Sequence, residues 1–149
     1  MKLGHTSLSI FTALLFTLVT LLSASAQAQT ETYRARLSPM PTTPQTVTTI
    51  TGEGEVILTL QGNSLSVKGN FKGMNSVATM AHLHNGPPAQ PGPVVHPLEV
   101  TLLPAGEITA ELELSDAQVT ALRKNELYIQ IHSQTNPAGE LRGWIFARK

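Results

Sequence analysis

Glu126-Leu-Tyr-Ile-Gln-Ile-His-Ser-Gln134 and Glu140-Leu-Arg-Gly-Trp-Ile-Phe-Ala147 decide the fold class of this chain. In the first segment Leu127, Ile129 and Ile131 alternate with Tyr128, Gln130 and His132. In the second, Leu141, Gly143 and Ile145 alternate with Glu140, Arg142 and Trp144. Strict alternation is the signature of a strand with one aliphatic and one polar face. Thr135-Asn-Pro-Ala-Gly139 between them has the residue types of a tight reversal, so the two strands read as a hairpin.

Working toward the N-terminus, Ser115–Lys124 reads as one short helix. Ser115 is the expected N-cap, Gln118 completes a capping box, and Val119 with Leu122 marks the apolar face. Ile108–Leu114, Met80–His84, Ser64–Phe71, Glu55–Leu60 and Tyr33–Leu37 are further strand segments, with Gln61-Gly-Asn63 as a hairpin turn. Ser38–Thr49 is rich in proline and threonine and reads as an extended edge or loop. Asn85–Pro93 holds Gly86 and Gly92 among four prolines and reads as an irregular loop. Met74 and Ala78–Met80 read as core residues. Seven or so short strands and one helix predict an all-β antiparallel sandwich or barrel.

The first residues have the parts of an export signal: Lys2, the apolar run Leu8–Leu22, and the small residues Ser23–Ala28. Cleavage is expected after Ala26 or Ala28, leaving one domain over 29–149 and no membrane-spanning segment. The run is shorter than the roughly 20 residues that cross a bilayer. The destination is then the periplasm or the extracellular space. Loss of Lys2 brings a chain with 10 Lys/Arg and 10 Asp/Glu to a net charge near −1. Such a neutral domain lacks the basic footprint of a nucleic-acid binder. With no cysteine, the chain has neither disulfides nor thiolate ligands, and a packed core must hold it together.

Four ordered motifs carry a family resemblance: Ala81-His-Leu-His-Asn-Gly-Pro87, Gly92-Pro-Val-Val95, Leu127–Ser133 and Asn136-Pro-Ala-Gly-Glu-Leu-Arg-Gly143. Together they resemble the CHRD domain, the module named after chordin and found alone in exported bacterial proteins. The resemblance spans roughly Tyr33–Phe146. It implies an immunoglobulin-like or superoxide-dismutase-like β-sandwich with no established enzymatic activity. His96 departs from the family, which more often has an apolar residue there.

Strand parity groups His82, His84, Gln130, His132, Glu140 and Arg142 on polar faces. One reading is a copper or zinc site, with two imidazoles from His-x-His, a third from His132, and His96 as a fourth ligand if the loop folds back. The His-x-His strand also resembles the copper strand of copper–zinc superoxide dismutase. That enzyme's cysteine pair is missing, and Asp116, the only aspartate, lies on the helix segment. The other reading is a hydrogen-bonded polar network in which the histidines donate to loop carbonyls and Glu140 pairs with Arg142 or another charge while pinning the Asn85–Pro93 loop. Glu111 and Glu113 share a strand face and read as its solvated side rather than a glycosidase pair. Tyr128 and Trp144 read as rim packing, with a sugar- or peptide-binding platform as the alternative. The leading expectation is a non-enzymatic binding or structural module for an extracytoplasmic ligand or protein, and the second a copper- or zinc-binding protein.

Overall fold

The computed structural model describes residues 29–148, so the export segment expected over residues 1–28 lies outside the described residues. Eight strands and one helix follow in the order β1 (Thr30–Pro39), β2 (Glu53–Gln61), β3 (Ser64–Lys72), β4 (Ala78–Asn85), β5 (Val94–Val100), β6 (Gly106–Glu113), α1 (Asp116–Arg123), β7 (Leu127–Ser133) and β8 (Leu141–Ala147). All pairings are antiparallel, and the strands close in the order β1-β2-β3-β6-β5-β4-β7-β8.

The expectation of an all-β antiparallel fold with one helix is met, but the sandwich is corrected to a closed barrel. Closure needs one pairing between segments distant in sequence, β1 with β8, and one short junction between the consecutive strands β5 and β6. β1 pairs with β8 from Tyr33↔Ala147 to Pro39↔Leu141, and β5 joins β6 only at Glu99↔Thr109 and Val100↔Ile108. An eight-stranded barrel is just wide enough to be filled by side chains. Here the filling comes from inward residues of each strand, including Leu37, Leu58, Val67, Leu83, Leu98, Ile108, Ile129 and Ile145.

β5 is an eighth strand that sequence patterning does not reveal. Its Pro97 cannot donate to a ladder, yet Val94–Leu98 has no β6 partner, so the stretch behaves as an edge on that side. The helix forms as expected: the Ser115 side chain accepts from the Gln118 N–H, the Gln118 side chain accepts from the Ser115 N–H, and Val119, Ala121 and Leu122 are buried. Ala78 and Met74 are buried, but Met80 is 45% exposed and does not belong to the core. Among the described residues, no helix is long and apolar enough to cross a membrane.

Candidate metal centre on a covered sheet face

Register places the outward residues of β4, β7 and β8 in ordered rows. His84 stands opposite Tyr128, which stands opposite Trp144; His82 stands opposite Gln130, which stands opposite Arg142; Met80 stands opposite His132. On β7 the outward residues are nearly as hidden as the inward ones: Tyr128 is 1% exposed, Gln130 4% and His132 9%.

Two loops provide the cover. The Asn85–Pro93 loop is held by Trp144 Nε1, which donates to Gly86 O at 2.9 Å, and by Tyr128 Oη, which donates to Gly92 O at 3.1 Å. Gly92 N–H donates back to Tyr128 Oη at 3.0 Å. The chain passes so close to itself that a Cβ on Gly92 would collide with the Asn85 carbonyl, and one on Gly86 with that of Gln90. The Asn136–Gly139 turn is held by Gln130 Nε2, which donates to Ala138 O at 3.0 Å.

These loops also fix the histidine rings. His84 Nδ1 lies 3.0 Å from Gly92 O, and His132 Nδ1 lies 2.8 Å from Pro137 O. A carbonyl only accepts, so each Nδ1 carries the proton and each Nε2 presents a lone pair. His82 Nδ1 is 3.2 Å from His132 Nε2 and donates to it. Nε2 of His84 is buried with no hydrogen-bond partner among the described residues. One nitrogen from each of His82, His84 and His132 lies within 4.8 Å of the others.

Burial holds the His82 imidazole below its ordinary pKa, and the neighbouring charges of His132 and His84 add to the shift. His84 is lowered by burial as well, against the raising effect of its bond to Gly92 O, with His132 and Arg142 pushing it down further. Both rings therefore favour the neutral form that ligates metals. Locking a ligand's distal N–H on a carbonyl is the outer-shell arrangement common to histidine metal sites.

Other residues singled out in the sequence lie elsewhere. His96 stands opposite Leu83, on the face away from His82 and His84, and its Nε2 lies 3.2 Å from Gln118 Oε1. Glu140 is fully buried but pins different segments: it accepts from Thr51 N–H at 3.3 Å, Asn75 N–H at 3.0 Å and Asn136 Nδ2 at 3.1 Å. Arg142 does not pair with it; Arg142 Nε donates to Gln130 Oε1 at 2.8 Å, and the guanidinium lies over Tyr128. Asn85 closes its loop through its N–H to Pro93 O. Tyr128 and Trp144, 5.0 Å apart, are engaged in holding that loop. Sequence parity grouped the three histidines, and the expectation that they donate to loop carbonyls is met by His84 on Gly92 O and His132 on Pro137 O.

The profile of the CHRD domain matches residues 33–145, from the inward Tyr33 of β1 to Ile145 of β8. The chain belongs to the CHRD family. Comparison with curated proteins and with solved structures gives no match. The CHRD match contains the whole barrel between these residues, including all three clustered histidines and both covering loops.

Proposed function

We propose that this CHRD protein is a non-enzymatic extracytoplasmic binding module that holds copper or zinc through His82, His84 and His132. The carrying observation is the His84 Nε2 lone pair, buried beside two other imidazoles and without a partner among the described residues. Leaving such an atom unsatisfied costs about 1–3 kcal/mol, which a metal bond would recover. Two of the rings already have their tautomer set for Nε2 ligation. The extracytoplasmic address is supported by the family and by the export-type segment with Lys2, Leu8–Leu22 and Ala24–Ala28. The non-enzymatic reading is supported by the carboxylates: Glu111 is exposed and accepts from Ser66, and Asp116 starts the helix.

Titration calorimetry on the full chain stripped with a chelator tests the site. Uptake of copper or zinc by the parent is expected. His84→Phe keeps a ring against Tyr128 while removing Nε2, and should weaken binding by roughly 100-fold, beyond the cost of losing one outer-shell partner. Absence of binding by the parent for both metals would refute the reading.

The His82–His132 hydrogen bond at 3.2 Å favours a second reading, a polar clamp that serves only to hold the two loops on the sheet. The clamp reading expects His82→Ala to destabilise metal-free protein without any metal affinity to lose.

A further inference from the structure

Met80 shares the outward parity of His82 and His84, since Ala81 and Leu83 between them are buried. The pairing of β4 with β7 contains an irregularity that determines which residue meets His132. Ala78 stands opposite Ser133, so an unbroken ladder would bring Thr79 opposite His132. The register shifts between Ala78 and Met80, and Met80 takes that place instead. Bulges of this kind re-aim side chains and are over-represented beside functional sites.

Residues directly opposite on antiparallel strands have Cβ atoms about 4.5–5.5 Å apart. The methionine side chain has three rotatable bonds beyond that point. It therefore has the length to bring its sulfur to the side of the imidazole where His132 Nε2 faces His82. Its exposure is the reverse of what an apolar side chain gains from folding, and leaves it free to turn toward the rings.

The charge of the surroundings points the same way. The clustered donors are three imidazoles with no carboxylate among them. Arg142 is one hydrogen-bonded residue away, through Gln130, whose Nε2 lies 3.4 Å from His132 Nε2. A neutral donor set beside a fixed cation penalises a dication more than a monovalent ion. Thioether sulfur is a soft donor that selects copper(I) over zinc.

We propose that Met80 supplies a thioether to the three-histidine cluster and makes it a site selective for copper(I). This rests on the metal reading above, and the experiment separates the two. Copper(I) affinity is measured anaerobically on the full chain by competition with a chromogenic chelator, zinc affinity by calorimetry, and sulfur ligation by X-ray absorption. The parent should bind copper(I) with a sulfur scatterer in its coordination shell. Met80→Leu, a surface change of similar volume, should bind copper(I) roughly ten-fold or more weakly, lose the sulfur scatterer and keep its zinc affinity. Unchanged copper(I) affinity in Met80→Leu, or equal losses for copper(I) and zinc, overturns the methionine assignment and leaves the histidine site standing. A parent that binds neither metal overturns both. Circular dichroism and the melting temperature of Met80→Leu identify any loss of fold. In that case Met40→Leu, which removes the other sulfur near Gln130, should keep the parent's sulfur scatterer, and its loss there overturns the Met80 assignment.

Discussion

The outer face of β2 and β3 and that of β4, β7 and β8 follow the same alternation and meet opposite ends. On β2 and β3, Glu55, Thr59, Ser66, Lys68 and Asn70 point outward and remain open or half-open to water. Their ion pairs, such as Arg34–Glu55 at 2.8 Å and Lys72–Glu53 at 3.2 Å, are exposed and contribute little to stability. On β7, Tyr128, Gln130 and His132 point outward by the same rule and are buried under two loops. Cover, rather than parity, gives a polar side chain its chemistry. Under cover, hydrogen bonds strengthen and an unpaired nitrogen becomes costly, so ring orientation is set by the nearest carbonyl.

Tyr128→Ala against Lys68→Ala breaks the comparison most directly. The Tyr128 ring stacks on His84 at 4.6 Å and its hydroxyl holds Gly92. Its removal should destabilise the protein by about 3 kcal/mol, as for other buried aromatics. Lys68 is exposed, and its truncation should stay within about 0.5 kcal/mol. Urea unfolding of both variants measures the pair. Equal small losses would show that the loops do not seal the β7 face.

Gly92→Ala attacks the cover itself. The added Cβ collides with the Asn85 carbonyl, so the loop must shift away from the sheet. The expected loss is about 2 kcal/mol, in the range of other overpacking changes. Trp144 is the chain's single tryptophan and donates to Gly86 O in that loop. A red shift in its emission should accompany the loss. A destabilised variant with unshifted emission would mean that strain is relieved elsewhere and the cover stays closed.

Alternation in Glu126–Gln134 and Glu140–Ala147 placed each aliphatic face correctly, and Ser115 with Gln118 located the helix. Those signals are local, arising from side-chain periodicity and capping. Barrel closure was not legible, because β1 meets β8 across more than a hundred residues and no local pattern encodes their register. β5 was hidden by Pro97 and by the irregular loop before it. Met80 reads as core by composition, although its parity with His82 and His84 points outward. Glu140 was grouped with the polar face by the same alternation. Its carboxylate instead accepts from the N–H groups of Thr51 and Asn75, which are brought near only by tertiary folding. The histidines were legible as a group because His-x-His fixes two of them and hairpin-like strands supply the third. That they donate to loop carbonyls was also expected, but which carbonyls, those of Gly92 and Pro137, was not legible, because backbone groups leave no residue-type signal.

Acid should separate the two faces by the smallest and most specific effect. In metal-free protein, His82 and His84 titrate below the ordinary imidazole value of 6.5. In the interval between that value and their lowered folded values, the unfolded chain binds protons that the covered face refuses. Stability from these two rings is therefore full above 6.5, falls as pH drops through the interval, and levels off below it. Urea midpoints at pH values of about 7.5, 6.5 and 5.5 should show this loss for the parent. His82→Phe/His84→Phe removes both groups and should flatten it, whereas Lys68→Ala should leave it unchanged. A parent whose midpoint holds steady across that range would mean that the folded face admits protons as readily as the unfolded chain does. Bound copper or zinc should steepen the dependence, because each ligating ring must be neutral and acid then expels the ion as well.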